Sequence, residues 1–343
     1  MTSVVGCIGG GQLGRMLALA GAPLGLRMRF LDPAPDACAG AVGELVVGAY
    51  DDPACLDRLA DGADVVTFEF ENVPVEAARR VAVVPDMRAL ELGQDRLVEK
   101  ELFRRLGIET APFGTLEDVG VPALVKSRRL GYDGKGQRMV DSPGEIIGEN
   151  ELVEGIVPFD RELSIVAVRG RDGATAFYPL TENEHRGGIL ATSRAPASGA
   201  DALQGEAEEI ARRLLDELGY VGVLAVELFD VGGRLLANEF APRVHNTGHW
   251  TIEGSVTSQF ENHLRAILGL PLGPTEALGS AILVNLVGAV PPLEELLAVR
   301  GAHVHVYGKE PRPGRKLGHV TIVDADPADV ATVTELAAAA WSA

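Results

Sequence analysis

The first 32 residues carry the pattern that most restricts the fold. An apolar strand, Val4 to Ile8, runs into Gly9-Gly10-Gly11-Gln12-Leu13-Gly14. A helical pattern follows, and a second strand ends at Asp32. A strand–helix–strand unit of this length joins parallel strands, because the helix crosses over one face of the sheet. The sequence therefore predicts an N-terminal βαβ domain with a parallel sheet.

The glycine turn in this unit allows two interpretations. Glycines permit a sharp turn, and the helix that follows presents unpaired N–H groups to a phosphate. Gly9, Gly11 and Gly14 also match the G-x-G-x-x-G fingerprint, and Asp32 lies where a ribose-binding acid belongs. An NAD-dependent oxidoreductase is thus one hypothesis, and a general phosphate-binding turn is the other.

Composition excludes several classes of partner. The 343 residues include 31 Lys and Arg against 49 Asp and Glu, a net charge of −18, whereas nucleic-acid binders normally show a basic footprint. No apolar run is long enough for a transmembrane helix. Cys7, Cys38 and Cys55 show no metal-ligand spacing, which is typical of free thiols in the cytoplasm. We therefore expect a cytoplasmic protein without nucleic-acid or membrane partners.

A second glycine loop differs in kind from the first. Residues 131–137 lie between two apolar strands, the first of which contains Lys126. This arrangement predicts a hairpin tip, and its exposed N–H groups and Lys135 could fold over a triphosphate. An ordinary glycine hairpin is the alternative.

Two strands near residue 230 each carry one acid among apolar neighbours. Glu227 and Glu239 share a face only if the hairpin loop has the right parity. A two-residue loop, Val231-Gly232, would place them on opposite faces, whereas a three-residue loop, Val231-Gly232-Gly233, would place them on one face. We predict the three-residue loop. Two carboxylates so placed favour a cation such as Mg²⁺, which nucleotide phosphates would also bind.

Cationic segments follow the hairpin. Arg243 could hold a carboxylate-like or phosphate-like anion, and the basic turn from Lys309 to Lys316 could hold a sugar phosphate. His245 and His249 lack a zinc-binding context. The sequence contains neither a P-loop nor a G-x-S-x-G elbow, so these features favour neither a P-loop enzyme nor an α/β-hydrolase.

Six ordered blocks together carry a resemblance to a known family. The chain resembles the ATP-grasp superfamily and, within it, the N5-carboxyaminoimidazole ribonucleotide synthases of purine biosynthesis. The blocks are residues 9–16, 68–74, 126–137, 178–183, 238–249 and 312–316.

The resemblance implies an α/β and α+β protein with the ATP-grasp fold. The expected parts are a parallel-sheet βαβ domain at 1–95, a small lid region at 96–160 and a C-terminal mixed-sheet domain at 161–343. It also implies that ATP phosphorylates bicarbonate to carboxyphosphate, which carboxylates the exocyclic amine of 5-aminoimidazole ribonucleotide. ATP and Mg²⁺ are the implied cofactors, and a homodimer is the implied assembly. Another ATP-grasp ligase with a different acceptor remains an alternative.

The same resemblance assigns roles to individual positions. Positions near bicarbonate and carboxyphosphate are Arg243, His245, Asn246 and Tyr132. The implied metal ligands are Glu227 and Glu239. Positions matching the nucleotide site are Arg96, Lys126, Gly131, Tyr132, Asp133, Gly134, Lys135, Gly136, Gln137, Glu154, Gly155, Ile156, Val157, Glu162, His185, Asn238 and Glu239. Positions matching the ribonucleotide site are Gly11, Gln12, Leu13, Glu71, Lys309, Arg315 and Lys316, beside Tyr132.

Overall fold

The N-terminal region is built on a four-stranded parallel sheet with the order β3-β2-β1-β4. The predicted βαβ unit is therefore confirmed. Its strands are β1 (Val4–Ile8), β2 (Arg27–Asp32), β3 (Glu44–Val47) and β4 (Val65–Phe68). Its helices are α1 (Gln12–Gly21), α2 (Pro53–Ala60), α3 (Val75–Ala78) and α4 (Met87–Gly93).

The computed structural model describes residues 3–131 and 136–341. Four residues with predicted site roles lie outside the described residues, namely Tyr132, Asp133, Gly134 and Lys135. Among the described residues, no helix combines the length and apolar character needed to cross a membrane.

Helix α5 (Arg96–Arg105) follows the parallel sheet and leads into a small antiparallel sheet with the order β5-β8-β6-β7. The carboxylate of Asp95 caps the helix by accepting the Leu97 N–H at 3.1 Å. The elements that follow are β5 (Phe113–Gly114), α6 (Leu116–Val119), β6 (Ala123–Ser127), β7 (Gln137–Val140) and β8 (Glu151–Gly155). Strands β6 and β7 pair antiparallel on either side of the second glycine loop, as predicted.

The remaining chain forms a nine-stranded sheet whose described ladders are antiparallel. The order is β14-β13-β9-β11-β12-β15-β17-β16, with β10 beside β9. The strands are β9 (Arg161–Arg169), β10 (Thr175–Phe177), β11 (Thr181–Arg186), β12 (Ile189–Ala195), β13 (Gly222–Asp230), β14 (Leu235–Ala241), β15 (Ala281–Val287), β16 (Ala302–Val306) and β17 (Lys316–Val323).

Helices cover this sheet and join it to the N-terminal region. They are α7 (Asp201–Glu217), α8 (Thr251–Gly254), α9 (Gln259–Leu268), α10 (Leu293–Leu297) and α11 (Pro327–Trp341). One apolar core contains Leu13 and Met16 of α1 together with Phe260 and Leu264 of α9. Because α1 begins directly after the first glycine turn, this shared core holds that turn beside the C-terminal strands.

The hairpin of β13 and β14 differs from the predicted one. The turn is Gly232-Gly233, with φ values of +59° and +81°, and the flanking Val231 and Arg234 exchange backbone hydrogen bonds. These φ values are typical of a type I′ turn. The predicted three-residue loop is therefore wrong. The turn alone would place Asn238 opposite Glu227, but a β-bulge shifts the register so that Glu227 lies directly opposite Glu239.

Candidate active site

The two acids of the hairpin form the centre of the site. Directly opposed residues of an antiparallel pair share a face, with Cβ atoms about 5 Å apart. Burial and then the charge of Glu239 raise the pKa of Glu227 to about 7. Burial also acts on Glu239, but Arg96 donates to its Oε2 at 2.7 Å and holds its pKa below the usual value. Arg96 thus pairs with Glu239, whereas Glu227 lies 3.6 Å from the imidazole of His245.

A buried ion cluster lies beside this pair. Lys126 Nζ is 2.9 Å from Glu154 Oε2, and Lys100 Nζ is 3.6 Å from the same oxygen. Burial alone would raise the pKa of Glu154, but the two ammonium groups outweigh it and lower that pKa. Glu154 Oε1 is buried and has no hydrogen-bond partner among the described residues. The cluster therefore brings two residues of the expected nucleotide site together and leaves an acceptor available.

The described ends of the second glycine loop, here called the lid loop, lie near Arg96 and Lys126. The carbonyl of Gly131 accepts a hydrogen bond from Arg96 at 3.1 Å. Gly136 has φ +75°, and its carbonyl accepts the Ser127 N–H at 2.7 Å. Gln137 begins β7 opposite Lys126. The loop ends are therefore held next to two cations of the site.

The segment after Glu154 leaves the small sheet. Gly155 donates its N–H to the Pro112 carbonyl at 2.8 Å. Ile156 is half exposed and Val157 follows it. This exposed apolar segment beside the ion cluster has the character needed to line an adenine pocket.

Glu162 and His185 lie on the neighbouring strands β9 and β11 and are in direct contact through Oε2 and Nδ1. Burial lowers the pKa of His185, but the hydrogen bond to Glu162 outweighs it and the net direction is upward. The structure therefore brings these two expected nucleotide-site residues together.

The segment after β14 supplies polar groups beside the carboxylates. His245 Nε2 is 3.6 Å from Glu227 Oε1, and burial holds the pKa of His245 well below its usual value. Arg243 is 2.8 Å from Glu71, which follows β4. Both polar side-chain atoms of Asn246 are buried without a partner among the described residues. Asn246 thus has unused donors and acceptors beside a neutral imidazole.

The first glycine turn is occupied by carboxylates of the protein itself. Gly10 donates its N–H to Asp32 Oδ2 and Gly11 donates to Glu69 Oε1, each at 2.8 Å. Tyr50 donates to Asp32 at 3.0 Å. A Cβ atom at Gly9 would lie 2.7 Å from Glu69 Oε1, so the turn needs glycine to admit this side chain. These N–H groups are not available to a pyrophosphate, and the NAD-dependent hypothesis is not favoured.

The residues expected at the ribonucleotide site surround this turn in part. Lys309 Nζ contacts Gln12 Oε1, whereas Leu13 is buried in the core. Arg315 donates to the Glu310 carbonyl at 3.0 Å within the basic turn. The charge of Lys316 offsets a part of the rise that burial and Glu239 cause in the pKa of Glu227, so Lys316 lies within electrostatic range of Glu227.

Sequence analysis missed three buried acids or bases near the site. Glu99 and Lys100 of α5 are only 2% and 1% exposed. Burial, together with Glu239, raises the pKa of Glu99 to about 8. Glu69 is also buried, within the glycine turn. The spacing of Arg96, Glu99 and Lys100, which places all three on one helix face, was a signal that could have identified them.

These features fit a metal–nucleotide complex. Within residues 3–131 and 136–341, no three His, Cys, Asp or Glu side chains form a group that could hold a metal ion. Two opposed carboxylates still suit a hard cation whose other ligands are phosphate oxygens and water. Unpartnered buried atoms of Glu154, Asn238 and Asn246 add acceptors and a donor for a ligand.

The chain matches known proteins along most of its length. Three family profiles match the chain: the ribonucleotide synthetase preATP-grasp domain at residues 1–94, the ATP-grasp domain at 105–260 and the phosphoribosylaminoimidazole carboxylase C-terminal domain at 281–332. The N5-carboxyaminoimidazole ribonucleotide synthase of Pseudomonas aeruginosa is 50% identical, with 94% of this chain and 95% of that protein covered.

Solved structures show the same similarity. The crystal structure of N5-carboxyaminoimidazole ribonucleotide synthetase from Thermus thermophilus has a TM-score of 0.92 and 54% identity, covering 97% of this chain and 98% of that one. The Aspergillus clavatus N5-carboxyaminoimidazole synthase, in complex with ADP and 5-aminoimidazole ribonucleotide, has a TM-score of 0.89 and 30% identity, covering 99% of each chain. This chain therefore belongs to the N5-carboxyaminoimidazole ribonucleotide synthase family of ATP-grasp carboxylating ligases.

Proposed function

We propose that the protein uses ATP and bicarbonate to carboxylate 5-aminoimidazole ribonucleotide, which yields N5-carboxyaminoimidazole ribonucleotide, ADP and phosphate. Family membership and the complex of the Aspergillus clavatus relative with ADP and 5-aminoimidazole ribonucleotide support this substrate pair. The observation that carries the proposal is the direct opposition of Glu227 and Glu239, with Arg96 on one of them. A mere binding protein would not need two acids held in repulsion at a nucleotide site.

Glu227 and Glu239 would hold Mg²⁺ together with the phosphates of ATP. The ion, when bound, neutralises charge that develops on the phosphates during transfer. Arg96 and Lys126 would hold the phosphate oxygens, and the loop from Gly131 to Gln137 would cover them. Arg96 and Lys126 each lie within 3 Å of an acidic side chain, which fixes their positions. The nucleotide would therefore enter a site whose cationic groups are already oriented.

Glu154 to Val157 would contact adenine and Glu162 would contact ribose. His185 and Asn238 would add further contacts to the nucleotide. The contact between Glu162 and His185 supports this, because it fixes both side chains on adjacent strands.

The segment after β14 would supply the side chains that act in carboxyl transfer. A bicarbonate oxygen forms a bond to the γ-phosphorus of ATP as ADP leaves. Carboxyphosphate then gives carbon dioxide and phosphate, and the exocyclic amine forms the new N–C bond and loses a proton. Arg243 would neutralise the anion and Asn246 would orient it. His245, whose pKa burial holds well below its usual value, would be a neutral polar neighbour of the anion.

The ribonucleotide would lie between the first glycine turn, Glu71 and the basic turn, with Tyr132 closing the pocket. Contacts of Lys309 with Gln12 and of Arg243 with Glu71 support this position, because both join the N-terminal region to the C-terminal strands. Arg315 and Lys316 would supply charge for the substrate phosphate. Small molecules would be the only substrates.

We assign the chain to three parts, at 1–95, 96–160 and 161–343, as expected from the sequence. The start of α5 at Arg96 and of the large sheet at Arg161 support these boundaries. We further propose a cytoplasmic homodimer without nucleic-acid or membrane partners. Light scattering that gave the mass of one chain, 36.2 kDa, would refute the dimer.

Phosphate release from ATP provides the direct test of the activity. The rate should require both bicarbonate and 5-aminoimidazole ribonucleotide, and the carboxylated product should form in equal amount. Release that another amine acceptor stimulates instead would favour a different ATP-grasp ligase. Thermal stabilisation by NADH but not by Mg-ATP would support the oxidoreductase hypothesis.

A further inference from the structure

Three side chains of α5 bind three consecutive residues of β14. Arg96 donates to the Glu239 side chain at 2.7 Å. On either side of that glutamate, Glu99 Oε1 accepts the Phe240 N–H at 2.7 Å and Lys100 Nζ donates to the Asn238 carbonyl at 2.8 Å. Positions i, i+3 and i+4 of a helix lie on one face, so all three act together.

The three residues of β14 that α5 binds include the β-bulge of this strand. Leu228 pairs with Ala237 and Glu227 with Glu239, so Asn238 is the extra residue of the bulged strand. A regular ladder from the Gly-Gly turn would instead pair Asn238 with Glu227. Glu239 would then point to the opposite face of the sheet, away from Glu227.

A bulge removes backbone groups from the ladder, and those groups need other partners. Strand β14 is the terminal strand of its sheet, and on its outer edge the Glu109 carbonyl accepts the Ala237 N–H at 2.8 Å, so the bulge residues that follow use side-chain partners. Glu99 and Lys100 provide an acceptor and a donor at this point. Lys100 is 1% exposed, and it also donates to Thr110 Oγ1 at 2.9 Å. A buried ammonium is costly unless its hydrogen bonds are made, so these contacts account for its burial.

We propose that Glu99 and Lys100 are positioning residues that stabilise the bulge at Asn238 and thereby set the face on which Glu239 meets the metal ion of the nucleotide. The proposal rests on the proposed function, because the position of Glu239 would affect the binding of a metal–nucleotide complex. Glu99 and Lys100 act through the strand that carries Glu239.

The test measures how much Mg²⁺ strengthens ADP binding, by calorimetry with Mg²⁺ and with EDTA. Lys100→Met removes the donor and Glu99→Met removes the acceptor, both with similar side-chain length. A buried backbone group that loses its side-chain hydrogen-bond partner corresponds to a change of roughly tenfold or more. We therefore expect the enhancement by Mg²⁺ to fall about tenfold in each variant, while ADP binding in EDTA changes less than about threefold in Glu99→Met. Lys100 also lies 3.6 Å from Glu154 in the nucleotide site, so Lys100→Met is judged by the Mg²⁺ enhancement alone.

Two further variants separate positioning from general stability. Glu99→Gln keeps the oxygen that accepts the Phe240 N–H, so the Mg²⁺ enhancement should stay within about threefold of the parent protein. Tyr178→Phe removes buried hydrogen bonds to Thr257 and Asn262 in a different core, and it should lower stability without changing the enhancement. If Lys100→Met is recovered unfolded, the comparison of Glu99→Met with Glu99→Gln decides the question.

Two results would overturn the proposal. One is an unchanged Mg²⁺ enhancement in folded Glu99→Met and Lys100→Met. The other is an equal loss in Tyr178→Phe. Absence of any Mg²⁺ enhancement in the parent protein would instead contradict the proposed function, so the two failures are distinguishable.

Discussion

Lowering the pH from 8 to 6 should weaken Mg-ADP binding, because Glu227 takes up a proton over this range. Its pKa is raised to about 7, first by burial and then by the charge of Glu239. The nearby imidazole of His245 stays uncharged and cannot neutralise it. The protonated carboxyl must lose its proton before it can bind the metal ion.

The expected size follows from the pKa. Raising a carboxyl pKa from 4.5 to about 7 corresponds to roughly 3 kcal/mol between its two protonation states. The Glu227 side chain is 20% exposed, so solvent screening reduces this figure to about 2 kcal/mol. Since binding of the metal ion displaces one proton from Glu227, each pH unit below the pKa lowers the affinity for Mg-ADP by up to about tenfold. The folded protein also holds this proton more tightly than the unfolded chain does. The free energy of unfolding of the metal-free protein should therefore fall as the pH rises from 4.5 through 7.

Calorimetry at pH 6, 7 and 8 in two buffers of different ionisation enthalpy measures the protons released on binding. Mg²⁺ titrated into ADP alone corrects for protons from the nucleotide. Glu227→Gln has no carboxyl to ionise, so it should release fewer protons and bind Mg-ADP more weakly at pH 8. Equal proton release by the parent protein and Glu227→Gln, with affinity independent of pH, would refute this reasoning.

Three further predictions concern turnover and stability. Glu239→Gln should abolish phosphate release dependent on 5-aminoimidazole ribonucleotide, yet shift the urea unfolding free energy by less than about 1 kcal/mol, since its ion pair with Arg96 is partly exposed. Asn246→Ala should lower turnover without changing ADP affinity measured by calorimetry, because Asn246 would orient bicarbonate; an equal loss of ADP affinity would contradict this. Buried His263 has its pKa lowered to about 4, so the fold should lose up to about 3 kcal/mol as the pH falls from 6.5 to 4, whereas His263→Asn should flatten this dependence in urea unfolding.

Much of the architecture was predictable from local patterns. Hydrophobic runs and glycines identified the parallel βαβ unit, the hairpin beside the lid loop and the hairpin of β13 and β14, because these features depend on residues close in sequence. Motif resemblance identified the family and suggested the candidate site positions. The pairing of Glu162 with His185 and of Lys126 with Glu154 required the register between strands and was not predictable.

The sequence by itself determined the parallel βαβ unit, the two glycine-turn hairpins, the family and the presence of one acid on each strand of the second hairpin. Only the tertiary structure decided that those acids share a face, because a bulge reverses the parity set by the Gly-Gly turn. It also decided that carboxylates of Asp32 and Glu69 fill the first glycine turn. In both cases the deciding contact joins residues far apart in sequence, as α5 is joined to β14, and local patterns contain no information about such contacts.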